Sequence, residues 1–390
     1  MNESNEVPTG IQWSDGMDEA VFLRDYWQQK PLLIRQAFPD FQTPLDADEL
    51  AGLSLEPETT PRLIIQDGAG NYHLEHGPFE EDRFATLDGN NWSLLVTDVE
   101  KHIPELASYL EPFQFLPSWR IDDLMISYAP VGASVGAHID EYDVFLLQAG
   151  GVRQWSIDQR QDIKHELLPD STLKILATFA ATDCWDLEAG DMLYLPPGIP
   201  HHGVATVESC TTWSIGFRAP AIPDMIMRVS EMLAESLPAI RYTDGAIDIA
   251  TPGEISASAI TRMKTLWTQA TMLDDTLFAN FVGALLTESG TINSDDSVYE
   301  AYDNAGDIEQ FIKAPFTQIV WHQKNIESSE PMVADAVTLF VNGESYYCSR
   351  GLAIELSQRE PIPITVKPAR NSSDQSMLEM LTRSGCLIPY

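Results

Sequence analysis

The chain has 390 residues, 44% of them hydrophobic and 21% charged. These are the proportions of an ordinary globular protein with two or three domains, not of a disordered or fibrous chain. Fifty-nine acidic residues against 23 basic ones give a net charge of −36, which excludes a chain-wide phosphate-binding surface. Split at Arg218, the first part holds 36 acids and 12 bases and the rest 23 and 11. Such acidity suits steering of a basic partner, and equally a solubility or salt-adapted surface. No apolar run approaches the roughly 20 residues of a membrane helix. The opening Met1-Asn-Glu-Ser-Asn-Glu6 lacks the basic and apolar regions of a signal peptide, and the four cysteines form no CxxC pair. A reduced, cytoplasmic protein is expected.

In chain order, residues 18–29 read as a helix, followed by the buried run Leu32-Leu33-Ile34. Short apolar runs follow at 123–128, 143–147, 152–157, 191–195, 203–207 and 211–217. They are rich in aromatic and β-branched residues, and Gly and Pro separate them. This pattern predicts a barrel or jelly roll. After Ala219 the period becomes helical: Ile222, Met225, Ile226, Val229, Met232, Leu233 and Leu237 fall on one stripe. A second helical stretch covers 256–288 with a break near Asp274-Asp275. From Asp295 a smaller unit mixes helix and hairpin. Runs 337–341 and 345–348 flank Asn342-Gly343-Glu344, a strong hairpin signal. A terminal helix is expected at 377–382, with Gly385 as its stop. Trp267, Phe278 and Phe281 are expected to pack helices.

The chemistry concentrates in Val135-Gly-Ala-His138-Ile-Asp140-Glu-Tyr-Asp-Val-Phe145. Strand side chains two apart share a face, so His138 and Asp140 can grip one ion together. A further histidine from another strand would complete a facial two-histidine, one-carboxylate set, the signature of non-haem Fe(II) oxygenases. Leu195-Pro-Pro-Gly-Ile-Pro-His201-His202-Gly203 offers two candidates, His201 and His202, behind a rigid turn. Arg153, in Val152-Arg-Gln-Trp-Ser-Ile157, shares its face with Trp155 and Ile157. A guanidinium in an apolar barrel needs an anion. Either a protein carboxylate or a small dicarboxylic cosubstrate held bidentately would serve. Ser127, on the preceding strand, can add a hydroxyl donor. His73, His76, His102, His165 and His322 stand in unconnected contexts and read as surface residues.

These residues resemble a known family. His138-Ile-Asp140-Glu-Tyr-Asp-Val-Phe145, Arg153-Gln-Trp155, Gly190-Asp-Met-Leu-Tyr-Leu-Pro-Pro-Gly-Ile-Pro-His201 and Gly216-Phe-Arg-Ala-Pro220 are similar to the bacterial JmjC-type ribosomal oxygenases. Phe22-Leu-Arg-Asp-Tyr-Trp-Gln-Gln-Lys-Pro-Leu-Leu-Ile-Arg35 is similar to their amino terminus. The nearest resemblance is to the arginine 3-hydroxylases of large-subunit ribosomal protein L16. It implies a mainly β protein with α: a double-stranded β-helix (JmjC/cupin-like jelly roll) over residues 1–218, a helical dimerisation region over 219–290, and a small winged-helix-like α+β domain over 291–390. It selects His201 over His202, so that His138, Asp140 and His201 hold Fe(II), and it assigns Arg153 and Ser127 to the far carboxylate of 2-oxoglutarate. O2 would be the second cosubstrate, and an arginine β-carbon of L16 the target. A homodimer is implied too, with no membrane partner. Ala137, Ala149 and His202 depart from the expected pattern without touching the carried-over ligands. An arginine-rich substrate suits an acidic entrance, for which Asp122, Asp123, Glu141 and Asp143 are the candidates. Histidine hydroxylation, lysine demethylation and a non-enzymatic cupin-like metal-binding module are the competing readings. With 23 acids against 11 bases after Arg218, the last unit lacks the basic stripe of a nucleic-acid binder.

Overall fold

The computed structural model describes residues 10–14, 16–87, 89–161, 164–169, 171–245, 253–288, 310–323, 336–358, 363–365 and 372–390. The expected starts of the last unit, at 291 and 295, and the segment 1–6 lie outside them. The chain divides into two compact units, Met1–Ala219 and Pro220–Tyr390.

In the first unit two antiparallel sheets face each other. The larger contains β1 (Leu32–Ile34), β2 (Pro61–Gln66), β3 (Tyr72–His76), β4 (Trp92–Val96), β5 (Ile121–Ala129), β7 (Asp143–Gly150), β10 (Met192–Leu195) and β12 (Cys210–Phe217), in the order β1-β10-β7-β12-β5-β4-β2-β3. The smaller contains β6 (His138–Ile139), β8 (Val152–Ile157), β9 (Asp183–Glu188) and β11 (Pro200–Ala205), in the order β6-β11-β8-β9. Alternation along the strands divides their side chains between two cores. Phe145 and Leu147 of β7, with Trp213, Ile215 and Phe217 of β12, point outward. There they meet Phe22 of α1 (Glu19–Asp25), Leu50 of α2 (Ala47–Leu53), Val99 of α4 (Val99–His102) and Phe113. A single turn, α3 (Asp82–Ala85), lies between α2 and α4. Val144, Leu146, Trp155, Ile157, Leu187, Leu193 and Leu195 fill the space between the sheets. This is the expected jelly roll.

Two boundaries differ from expectation. Helix α1 stops at Asp25, because Gln28 adopts φ 57° and its N–H donates to the Tyr194 hydroxyl at 2.7 Å. The strand expected at 203–207 runs instead from Pro200 to Ala205. Proline is tolerated as a strand's first residue, and His201 and His202 then take ladder positions opposite Ile157 and Ser156.

In the second unit α5 (Ile222–Ser236) is followed by α6 (Ala257–Ala270) and α7 (Asp275–Thr287). The break falls where expected, with the Asp274 carboxylate capping α7 by accepting from the Leu277 N–H at 2.8 Å. Phe281 is buried, but Trp267 is 68% exposed and Phe278 45%. The packing role expected of all three is therefore clear for Phe281, while Trp267 and Phe278 keep much of their surface exposed. Beyond lie two three-stranded sheets, one combining residues 310–313, 364–365 and 387–389, the other 319–322, 336–341 and 344–349. The predicted hairpin closes through Asn342 (φ 47°) and Gly343 (φ 88°), the two left-handed residues of a type I′ turn. The terminal helix is longer than expected, Ser372–Arg383.

Candidate metal centre

Strand β6 is only two residues long and pairs with β11, setting His201 opposite His138. The Pro-Pro-Gly turn is fastened to the same place: Gly198, at φ 84°, donates its N–H to the Asp140 carbonyl at 2.8 Å. Two segments some 60 residues apart are thereby locked together, and the donor atoms of His138, Asp140 and His201 all lie within 4.8 Å of one another. His138 Nε2 stands 3.8 Å from Asp140 Oδ1 and His201 Nε2 3.6 Å from Oδ2.

Both imidazoles are oriented by the backbone. His138 Nδ1 is 2.9 Å from the Gly136 carbonyl and His201 Nδ1 2.9 Å from the Ile199 carbonyl. A carbonyl only accepts, so each Nδ1 carries the proton and each Nε2 presents its lone pair toward Asp140. Burial, reinforced by His138, pushes the His201 pKa down to about 3, which keeps the ring neutral and able to ligate. Burial raises Asp140, against His138, a hydrogen bond from Tyr142 and the charge of Arg62. Two imidazoles and one carboxylate, brought together where β6 and the residue after it meet β11, fit a divalent first-row metal with room left for other ligands. His202, one residue on, faces the other way and packs edge-on against Phe179.

Arg153 is 2% exposed, and its Nε and Nη2 have no hydrogen-bond partner among the described residues. Its guanidinium lies 5.7 Å from the Trp155 ring, which in turn lies 5.8 Å from the His201 ring. Among the described residues no carboxylate partners it there, which leaves the second of the two expected anions. Buried, unsatisfied donors of this kind call for an anionic ligand. Ser127 is buried on β5 and donates to the Thr212 carbonyl at 3.3 Å.

The four acids expected at the entrance part company. Asp143 is fully buried on the outer face of the large sheet. It accepts from the Tyr194 hydroxyl at 2.6 Å, from Arg120 at 3.0 Å and from Gln28 at 3.1 Å. It is a structural anchor and lines no entrance. Asp122 pairs with Arg218 at 2.5 Å, and Glu141 is exposed. Asp123 lies beside Tyr142: a Cβ placed on Gly216 would be 3.1 Å from its Oδ1 and 3.9 Å from the tyrosine ring. Arg62 and Tyr142 were not singled out from the sequence as neighbours of the triad. Arg62 arrives from β2, 76 residues before His138, and no local spacing announces it.

The paired sheets and the His–Asp–His cluster lie in a stretch that resembles a JmjC domain. The JmjC domain model matches residues 108–225. Over 240 residues the chain is 39% identical to the ribosomal protein uL16 3-hydroxylase of Escherichia coli, covering 61% of each protein. Over 225 residues it is 35% identical to a probable ribosomal oxygenase of Haemophilus influenzae, covering 57% of this chain and 55% of the relative. The matched stretch thus spans less than two thirds of either relative's length. The crystal structure of Escherichia coli YcfD matches at a TM-score of 0.76 and 29% identity, covering 97% of this chain and 99% of that one. YcfD, described as a ribosomal oxygenase, has also been solved with cobalt and 2-oxoglutarate, a match at TM-score 0.73, 28% identity and 97% and 99% coverage.

Proposed function

We propose that the chain is an Fe(II)- and 2-oxoglutarate-dependent protein hydroxylase that acts on the β-carbon of an arginine in ribosomal protein uL16. One observation carries this reading: a His–Asp–His set in a barrel that also buries an arginine with unsatisfied donors. A metal site alone would fit a binding module. A buried cation awaiting an anion fits a dicarboxylate cosubstrate. When bound, the iron with 2-oxoglutarate and O2 supplies the oxidation, giving succinate, CO2 and one oxygen atom in a C–H bond.

The chain's own residues do the positioning. His138, Asp140 and His201 hold the metal, and Gly136 and Ile199 fix the histidine tautomers. Arg153 takes the far carboxylate of the cosubstrate, with Ser127 beside it. Asp123 and Tyr142 suit a guanidinium, the carboxylate by charge and the ring by its face. The reading extends to a cytoplasmic homodimer that associates through the helices after Ala219 and binds neither membrane nor nucleic acid.

Mass spectrometry of uL16 after incubation with the purified protein, Fe(II), 2-oxoglutarate and air tests the proposal. One arginine gaining a single oxygen with the wild type, but not with His138→Ala or Arg153→Ala, is the expected outcome. Addition to a histidine, or loss of a methyl group from a lysine, would move the chain to another substrate class. Metal binding with no 2-oxoglutarate consumption would leave only the binding module.

A further inference from the structure

Arg62 belongs to β2, two strands away from Ser127. Its register partner is Leu95 of β4, and the partner of Leu95 is Ser127 of β5. Directly paired residues share a face, so Arg62 projects from the inner face of the large sheet, as do Ser127, Met125 and Asp123. Its Nη2 is 3.3 Å from Met125 Sδ, a weak acceptor. Its charge is felt at both Asp140 and Tyr142. Among the described residues no carboxylate pairs with it. In a chain with 59 acids and 23 bases, a half-buried guanidinium whose one hydrogen bond among the described residues goes to a thioether has donors to spare.

Of the three groups a bound complex would bring near such a fork, two find their partners elsewhere. The far carboxylate of the cosubstrate has Arg153. The cationic side chain of a basic substrate is repelled by Arg62 and attracted by Asp123, one strand repeat away across Met125. What remains is the substrate's main chain, whose carbonyl oxygens enter without a partner. The geometry points to Arg62 as a substrate-contacting residue: it donates to a main-chain carbonyl of the bound polypeptide and, opposite Asp123, fixes which way round the target residue lies. This assignment rests on the hydroxylase reading and deepens it.

The test uses protein loaded with Co(II) and 2-oxoglutarate and titrated calorimetrically with uL16, alongside Fe(II) turnover that counts succinate formed per arginine hydroxylated. Wild type is compared with Arg62→Met and with Arg62→Gln, which keeps an amide donor. Loss of a charge-assisted hydrogen bond weakens binding by about tenfold or more. Arg62→Met is expected to lose that much uL16 affinity and to form surplus succinate. Arg62→Gln should fall between, and both should keep the wild-type affinity for 2-oxoglutarate. Unchanged uL16 affinity in Arg62→Met overturns the assignment. So does weakened 2-oxoglutarate binding with uL16 affinity intact, which would make Arg62 a cosubstrate contact. Wild-type protein that neither binds nor hydroxylates uL16 overturns the functional reading itself, and the Arg62 contact falls with it. The melting temperature of each variant separates these results from loss of fold, and the milder Arg62→Gln stands in if Arg62→Met does not fold.

Discussion

Among single residues, Asp123 is where the proposed function depends most directly on charge. Burial first, then the neighbouring charges of Asp122 and Asp98, lift its pKa to about 7, against roughly 4 for a free aspartate. A carboxyl meant to hold a guanidinium must be ionised, so kcat/KM for uL16 should climb as pH rises through about 7. In Asp123→Asn it should be low and flat across the same range. The stability consequence has the opposite sense. A group whose folded pKa is raised supports the fold fully below its unfolded pKa, and that support is lost as pH rises from about 4 through about 7. Relative to wild type, Asp123→Asn should therefore gain melting temperature at pH 8 and not at pH 4. A pH profile of kcat/KM that keeps its rise in Asp123→Asn would assign the titration to another group. Glu100, also raised to about 7 by burial and held by the Leu124 N–H at 3.0 Å, is that alternative.

Strand β11 does two jobs, presenting His201 and making room for Trp155. Gly203 stands opposite Trp155, and a Cβ on it would sit 2.7 Å from the indole ring. No such approach is tolerated, so Gly203→Ala must push the ring that packs between Arg153 and His201. We expect a loss of about 1–3 kcal/mol, the usual cost of overpacking, together with weaker Co(II) binding. Trp155→Leu should relieve part of it, so the double variant should be less destabilised than the two single effects predict. Simple additivity in denaturant titrations would show that the ring does not mediate. At this scale the sequence was most legible where the signal is local. His138 and Asp140 are two apart, Asp140 immediately following β6, and Pro-Pro-Gly precedes His201. What stayed hidden are contacts made only by strand order. The approach of Arg62 to Met125 needs β2 and β4 to extend the large sheet, and the removal of Asp143 to the outer core needs Tyr194 and Arg120. Alternation also puts Asp143 on the face opposite Val144, but only its partners show that face to be sealed.

For the whole molecule, the unexplained surface lies on the helices of the second unit. Ile222 and Ile226 of α5 are one turn apart and 68% and 60% exposed, and Ile260, Met263 and Trp267 of α6 repeat at helical spacing and are 51%, 45% and 68% exposed. A chain of charge −36 gains nothing by showing such stripes to water. Apolar surface contributes about 25 cal/mol per Å² when covered, and a specific interface needs roughly 1,000 Å² or more in total. A second copy of the chain is the partner that the homodimer reading supplies, and it brings matching stripes of its own. Between two bodies of like charge the apolar term must also outweigh repulsion, which salt screens over a Debye length of about 8 Å at physiological strength. Association should therefore tighten as salt is added. Sedimentation velocity is expected to give twice the chain mass for the wild type, with dissociation promoted by low salt. The double variant Ile226→Asp, Trp267→Asp should return the protein to the mass of one chain, because each new carboxylate would be buried unpaired in a dimer. Both substitutions lie in the second unit, so Co(II) binding and 2-oxoglutarate affinity should stay at wild-type values. A wild type that sediments as one chain at every salt concentration would remove the dimer from the functional reading and leave the barrel's chemistry standing.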